Sequence, residues 1–582
     1  MSESARSEPL DRIHFHLNGA AASAATGSRH RTLLAWLRDH GWTGAKEGCN
    51  GGDCGACTVA IAMPGPDGTP TWHSINSCLL PLQAVRGRQI LTVEGLESPP
   101  PHPRTPGPPT ALHPIQSALV RHHGSQCGYC TPGIVMSLVD ACQRRTLDTR
   151  ESLDAHLAGN LCRCTGYRSI CEAALEALAS AREGSGIPPP SRMETCPDVA
   201  GNDARGTFHH PVDLASLFAL FERFPNSQLI AGGTDLVPGW NQESGSIGTL
   251  ISLEGIRELG ELRETPAEWH LGAAVPLSVL AERLQGEFPA WDEMLRWFGS
   301  RAIRNRATLG GNLAGGSPVA DASPVLIALG ARLVLCSAAG ERILPVEDFF
   351  AGYRKTVLRR GEVLRSVLVP RRDGFGNAFY KVSRRREVDI TTVSAAFALK
   401  LGPGNLVEGI RIACGGVAPT PMRAFRTEAA LLGRRWDADA VALARPILET
   451  EFTPISDVRG SREYRVRVLG GLLERFVEGN HDDVDRTPLP SPASPPPGDP
   501  HDSAHLHVTG RARFVDDAPQ GMLETWPVLS PHAHARLRDR DATAARGMPG
   551  VVAVLFADDV PGLNDVGPVS YTHLTLPTSD LV

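Results

Sequence analysis

Glu47-Gly-Cys-Asn-Gly-Gly-Asp-Cys-Gly-Ala-Cys-Thr58 places Cys49, Cys54 and Cys57 in a C-x4-C-x2-C step, and Cys78 follows 21 positions later. This is the plant-type ligand spacing for a [2Fe–2S] cluster. The residues between the cysteines are small for a physical reason. A loop that wraps an inorganic cluster must bring backbone N–H groups close to the sulfurs, and bulky side chains would block that approach. Four thiolates could also hold zinc, since C-x2-C is a zinc-knuckle element, but the longer first step and the glycine-rich loop favour iron and sulfide. On the N-terminal side, Ile13-His-Phe-His-Leu-Asn-Gly19 alternates like a strand running into a turn. Thr32-Leu-Leu-Ala-Trp-Leu-Arg-Asp-His-Gly41 reads as a short helix closed by glycine.

Further along, Cys127-Gly-Tyr-Cys130 and Cys162-Arg-Cys164 make a second set of four. Alone, C-x2-C could be a thioredoxin-like dithiol. That reading leaves Cys162 and Cys164 unexplained, whereas a C-x2-C…C-x-C quartet at the ends of helices can close around a second cluster. The surrounding block is helical in pattern, from Ile115-Gln-Ser-Ala-Leu-Val120 through Ile134-Val-Met-Ser-Leu-Val139 to Glu172-Ala-Ala-Leu-Glu-Ala-Leu178. Cys142, Cys171, Cys196, Cys336 and Cys414 have no ligand spacing and read as ordinary thiols.

The whole chain has 582 residues, 42 % hydrophobic and 21 % charged, a composition of soluble globular domains. At roughly 100–200 residues per domain, about three to five domains are expected. With 58 Lys+Arg against 64 Asp+Glu, a net charge of −6 argues against nucleic-acid binding. No apolar run reaches the ~18 residues of a membrane span. Met1–Leu10 lacks an apolar signal core and a twin-Arg motif, so a cytoplasmic location is expected. Thirteen cysteines are too few for a disulfide scaffold in so long a chain. Proline-rich stretches at 99–109, 184–190 and 487–500 read as semi-rigid, solvated linkers, with polyproline ligands for a partner as the alternative. They leave blocks at about 11–97, 111–182, 205–483 and 503 onward, with no internal repeat.

The third block lacks a well-placed G-x-G-x-x-G, so a Rossmann turn is not expected. Leu229, Ile230, Ala231, Gly232, Gly233, Thr234, Asp235 and Leu236 read as a strand followed by a turn whose consecutive N–H groups could cradle an anion. A second glycine-rich run, from Thr308 through Gly311 and Asn312 to Ser317 and Asp321, precedes a helix at Pro324–Gly330. Its glycines would let backbone donors approach a pyrophosphate, and Asn312, Ser317 and Asp321 offer polar contacts to ribose or phosphate. Each loop alone could equally be a structural turn. Gln228–Ala231 and Arg332–Cys336 read as strands.

Taken together, Glu47–Thr58, Ser125-Gln-Cys-Gly-Tyr-Cys-Thr-Pro-Gly133 and Gly159-Asn-Leu-Cys-Arg-Cys-Thr-Gly-Tyr167 resemble the paired cluster domains of the molybdenum hydroxylases, nearest to their xanthine dehydrogenase branch. The resemblance runs from about residue 11 to 569. It implies an α+β multidomain chain: a β-grasp [2Fe–2S] ferredoxin domain (11–97), a four-helix [2Fe–2S] domain (111–182), an α/β FAD-binding domain (205–370) and its C-terminal α+β subdomain (375–483). The two glycine-rich loops are similar to the family's FAD domain, in which the Phe298 segment precedes the second loop. Gln126 matches a glutamine beside the family's pterin, and Lys381 a flavin-contacting lysine. The segment Tyr380–Ile390 resembles the one lining the flavin where NAD docks, although Val388 stands where many relatives are acidic. The Arg384–Arg386 run could instead be a solvated face.

His507-Val-Thr-Gly-Arg-Ala-Arg-Phe-Val-Asp-Asp517 and Ser530-Pro-His-Ala-His-Ala-Arg-Leu537 resemble the opening of the family's molybdopterin domain, so 503–569 is expected to be a truncated start of it. His532 and His534 read as alternating residues of a strand rather than metal ligands. Residues 570–582 look like an artefactual tail. The implied function is the iron–sulfur and FAD portion of a purine-oxidising enzyme. Electrons would pass from a molybdenum centre through two [2Fe–2S] clusters to FAD and then NAD. A molybdopterin domain or subunit is the expected partner, and the full enzyme is expected to be a dimer. The alternatives are an aldehyde oxidase or other molybdenum hydroxylase, a separate electron-transfer subunit, or a zinc-binding interaction protein.

Overall fold

A computed structural model of the chain describes residues 12–25, 31–64, 69–97, 111–144, 147–184, 186–190, 208–242, 248–479, 487–517, 522–523, 525–532, 534–559 and 561. The architecture is mixed α+β. It divides into two compact units at Arg513/Phe514.

The first block is a five-stranded sheet built from β1 (Arg12–Leu17), β2 (Ala20–Ala25), β3 (Thr58–Pro64), β4 (Pro70–Asn76) and β5 (Gln89–Leu91) in the order β2-β1-β5-β3-β4. Alternation in β1 buries Ile13, Phe15 and Leu17. The hairpin to β2 turns on Asn18 and Gly19, both left-handed at φ 53° and 80°, as a two-residue turn requires. Thr32 caps helix α1 (Leu33–Asp39) by accepting from the Ala35 amide.

The second block contains α2 (Pro114–Arg121), α3 (Thr131–Cys142), α4 (Arg150–Leu157) and α5 (Arg168–Gly184). Ile115, Leu119, Ile134, Leu138, Leu153 and Ala174 form their shared core. α3 also packs on β3 and β4, which is why almost every residue along it is buried.

The proline run at 487–500 is exposed from 490 onward, as a solvated linker should be, but is tied down at its start. Arg150 donates its amide to the Thr487 carbonyl at 3.1 Å, and the Leu489 amide to that of Asp148 at 2.8 Å. Ala504–Val508 then forms a short helix against α2 and α3. Val508 is fully buried there, and Gln116 Nε2 donates to its carbonyl at 2.9 Å. Lys46, 1 % exposed, donates its ammonium to the Ala512 carbonyl at 3.2 Å, while Arg511 pairs with Glu97 at 2.6 Å. Residues 503–513, expected to open a separate domain, thus belong to the first unit, because Leu489 and Val508 fill apolar space in the helical core.

The third block begins with a parallel three-stranded sheet, β6 (Phe208–His209), β8 (Leu250–Ser252) and β7 (Gln228–Ile230) in that order. Helix α6 (Leu214–Arg223) and helix α7 (Val237–Gln242) flank β7. An antiparallel sheet follows, from β9 (Leu262–Glu264), β10 (Glu268–Gly272), β11 (Arg332–Ser337), β12 (Gly340–Pro345) and, after the hairpin β13 (Phe350–Gly352) and β14 (Lys355–Thr356), β15 (Val363–Pro370), in the order β12-β11-β15-β10-β9. The helix Ala322–Leu329, buried along its whole length, ends at Gly330 with φ 71°. Strands β16 (Gly376–Val382), β17 (Val393–Gly402), β18 (Leu406–Gly415) and β19 (Met422–Arg423) make a last sheet backed by helices at 425–431, 438–451 and 462–478.

In the second unit nearly every described side chain is exposed, with Trp526 at 89 %. His532 and His534 lie there without the expected strand, in exposed irregular chain. The tail 570–582 and Cys196 fall outside the described residues. No described helix is long and apolar enough to cross a membrane.

Candidate functional site

The first loop holds its thiols two and two. Cys57 and Cys78 are buried with their sulfurs 3.3 Å apart, too far for a disulfide. Cys49 and Cys54 are neighbours: hydrogen bonding between their side chains pulls Cys49 down to about 4 and pushes Cys54 up. The amides of Gly51, Asp53 and Cys54 point at the Cys49 sulfur at 3.4, 3.2 and 3.3 Å. Asn50 is left-handed at φ 50°, and Gly52 and Gly55 likewise at 88° and 67°. Amides turned inward onto sulfur stabilise thiolate, the form that binds metal.

The second set pairs in the same way. Cys162 is drawn down to about 5 by the Cys130 thiol, which rises in turn; Cys127 and Cys164 are the other two neighbours. Thr165 Oγ1 lies 3.2 Å from the Cys162 sulfur. Among the described residues no three His, Cys, Asp or Glu side chains gather to hold a single metal ion. Pairs of thiols suit a two-iron centre, in which each iron takes two.

The two thiol loops interlock. Leu161 donates its amide to the Cys54 carbonyl at 2.9 Å. Asn160 Nδ2 donates to the Gly55 carbonyl at 3.2 Å, with its own Oδ1 fixed by Ser137 at 2.6 Å. Tyr129 donates its hydroxyl to the Glu47 carbonyl. A Cβ at Gly55 would stand 2.2 Å from the Gly159 carbonyl, and one at Gly133 2.2 Å from the Gly55 carbonyl. Glycine at these positions lets the loops touch backbone to backbone.

The third block meets both loops. A Cβ at Gly159 would lie 2.5 Å from Ser300 Cβ, and one at Gly52 would lie 3.2 Å from Ile303 Cδ1. Gly232 and Gly233, in the turn after β7, are buried; Gly233 is left-handed at φ 78° and abuts the Leu79 carbonyl, one residue from Cys78. From Gly232 to Leu236, five consecutive amides find no acceptor among the described residues. Gly232 and Gly233 are buried, Thr234 and Leu236 half-buried and Asp235 exposed, so the row of donors runs from the interior to the surface and fits an anion such as a pyrophosphate. At the second loop Thr308 caps the helix Leu309–Ala314 by accepting from Gly311, and the half-buried Asn312 leaves its Oδ1 unpaired. Ser317 accepts from the Val319 amide at 3.4 Å.

Asp321 and Lys381 face each other. Lys381 Nζ donates to Asp321 Oδ2 at 2.8 Å and to the Trp297 carbonyl at 3.0 Å, and Thr391 donates to Asp321 Oδ1 at 2.5 Å. This ties the second glycine-rich loop to β16 and to the segment at Phe298. Arg384, Arg385 and Arg386 are exposed, yet Arg386 pairs with Glu151 at 3.1 Å and covers Trp297. Val388 is left-handed at φ 50°, costly for a β-branched residue. Asp235 and Gln126 are exposed.

Below the junction lies a buried charge network that single motifs did not reveal. Asp140, at 0 % exposure, accepts from the Ser74 amide and hydroxyl (2.9 and 2.8 Å), Asn305 Nδ2 (3.2 Å) and Arg144 Nε (2.5 Å). Burial raises its carboxyl, but Arg144, Arg301 and His156 outweigh this and hold it far down. One carboxylate therefore joins all three blocks.

Three family models match: the [2Fe-2S] binding domain over residues 92–175, the FAD binding domain in molybdopterin dehydrogenase over 203–372, and the CO dehydrogenase flavoprotein C-terminal domain over 378–479. The chain thus carries a [2Fe-2S] binding domain and an FAD binding domain of the molybdopterin dehydrogenase type, consistent with the iron–sulfur and FAD part of a molybdenum hydroxylase. Its similar proteins include xanthine dehydrogenase of Oryza sativa subsp. japonica (31 % identical, 95 % of this chain and 48 % of that one), xanthine dehydrogenase 1 of Arabidopsis thaliana (30 %, 95 % and 48 %) and xanthine dehydrogenase/oxidase of Gallus gallus (29 %, 96 % and 50 %). The chain spans about half the length of these relatives. Among solved structures, the Cu,Mo-CO dehydrogenase is similar at 30 % identity over 47 % of this chain and 96 % of that one, with a TM-score of 0.45. Quinoline 2-oxidoreductase from Pseudomonas putida 86 stands at 28 %, 47 %, 95 % and 0.44.

Proposed function

We propose that the chain is the electron-transfer portion of a molybdenum hydroxylase of the xanthine dehydrogenase type. Cys49, Cys54, Cys57 and Cys78 hold one [2Fe–2S] cluster, and Cys127, Cys130, Cys162 and Cys164 a second. The loops at 229–236 and 308–321, with Phe298 and Lys381, hold FAD. When bound, the clusters carry electrons singly and the flavin handles them in pairs, with NAD as the outer acceptor. The five-stranded sheet with α1 supports the β-grasp reading of 11–97, and α2–α5 the four-helix reading of 111–182.

The carrying observation is a linear order. The second thiol set touches the first through Leu161 and Cys54, and the first touches the flavin turn through Leu79 and Gly233. The chain's task is placement: amides face the thiolates, glycines remove the bulk between loops, and the Asp140 network keeps the blocks docked. Gln126, exposed on the second thiol loop, would meet the pterin of a molybdopterin domain or subunit, which would supply electrons from a purine.

The purified chain should contain about four iron and four sulfide, giving two EPR signals after reduction, and one FAD. It should oxidise NADH with a dye as acceptor. Zinc in place of iron would falsify the cluster reading. Flavin-replete protein that does not react with NADH would remove NAD.

A further inference from the structure

Asn241 lies on α7, the helix that grows directly out of the flavin turn: Val237, its first residue, is fully buried and donates its amide to the Gly233 carbonyl at 2.9 Å. From the far end of that helix, Asn241 Nδ2 donates to the Asn50 carbonyl at 2.8 Å and to the Cys78 carbonyl at 3.0 Å. One acceptor lies in the first thiol loop and the other belongs to the fourth cysteine of the set, in the turn after β4. Asn50 is the left-handed residue that follows Cys49. Cys49 is paired with Cys54 and Cys78 with Cys57, so one amide bridges the two halves of the set.

We propose that Asn241 is a positioning residue that couples the flavin turn to the first cluster, raising that cluster's reduction potential when the turn is filled. The inference rests on the cluster and FAD reading above. The physical chain is short. An anion on the amides of 232–236 fixes the turn, the turn fixes α7, and α7 holds an N–H dipole against the carbonyl of ligand Cys78. A donor dipole aimed at the backbone of a ligand cysteine, though not at its sulfur, favours the more negative, reduced state, since the polar groups around a cluster tune its potential.

The test uses the full chain, reconstituted with iron and sulfide, followed by EPR during potentiometric titration. Wild-type protein is compared before FAD removal by a chaotropic salt, after it, and after FAD is added back. The first signal should fall in potential on removal and recover on addition. Asn241→Leu keeps the branched outline and loses the donors. It should lower the first cluster's one-electron reduction equilibrium by about tenfold, or about 59 mV, abolish its response to FAD and leave the second signal in place. Asn241→Gln, which keeps a donor, should restore part of both effects. Iron content and the unmoved second signal report that the variant has folded. Two normal signals with a wild-type potential and FAD response in Asn241→Leu would overturn the inference alone, as would an equal shift of both signals. A wild-type chain lacking one of the signals, or lacking FAD, would overturn the underlying reading and this inference with it.

Discussion

The Leu161 amide reaches the Cys54 carbonyl at 2.9 Å, and Leu161 is the residue before Cys162. One hydrogen bond therefore separates the backbone of a first-set cysteine from that of a second-set cysteine. The thiol sets nevertheless pair internally, 49 with 54 and 57 with 78, 162 with 130 and 127 with 164. Contact and independence coexist, and both can be tested.

Cys54→Ser should abolish one EPR signal and spare the other, and Cys130→Ser should do the converse. Iron per chain should fall by about half in each. Loss of both signals in either variant would mean that the sets form one centre.

Gly55→Ala puts a methyl where a carbonyl stands at 2.2 Å, on a residue with φ 67°. The loops must separate, at a cost of about 1–3 kcal/mol for overpacking. Magnetic interaction between the two signals should weaken while both persist. Unchanged interaction and stability would show that the backbone contact is dispensable.

Asp321→Ala leaves Lys381, with a side chain only 5 % exposed, without its carboxylate. Removing one partner of a buried pair costs about 3–5 kcal/mol. The variant should melt earlier and lose flavin on gel filtration, with Asp321→Asn intermediate because it can still accept a hydrogen bond. Full flavin retention and an unaltered melting temperature in Asp321→Ala would place the pair outside the site.

His73 and His156 are each depressed to about 4, chiefly by burial and then by Arg144 and Arg301 against the pull of Asp140. Unfolded histidines titrate near 6.5. Between those values the unfolded chain takes up protons that the folded chain refuses, so their contribution is complete above about pH 6.5 and is lost as pH falls toward 4. Each should cost roughly 2 kcal/mol by pH 4.5. The melting temperature should drop across this window, and His156→Gln should flatten the slope. A pH-independent melting temperature would contradict the sign.

The local elements were readable because their causes are local. Asn18-Gly19 needs left-handed backbone, Thr32 caps the helix that begins at Leu33, and Gly330 ends a helix whose apolar run begins at Pro324. The thiol sets and glycine turns were equally visible, since spacing and small side chains are written in short stretches. The contacts of Asn241, Asn160, Ser300 and Ile303 across the junction were not, because those partners lie more than 100 residues away. Asn160 stands inside Gly159-Asn-Leu-Cys162, yet only the fold gives its amide the Gly55 carbonyl. The proline run is solvent-exposed at 490–500, as its composition says, but the seating of Leu489 and the later Val508 in the helical core was not legible, because their apolar partners are distant in sequence.

The Lys46 ammonium and the Ala512 carbonyl are 466 residues apart in sequence. At a synthesis rate of about 5–20 residues per second, the carbonyl is made roughly 25–90 s after the lysine. Through that interval the residue three places before Cys49 lacks this acceptor. The stretch leading into Cys49, Cys54, Cys57 and Cys78 is thus translated early yet gains this buried anchor only after a delay of order a minute.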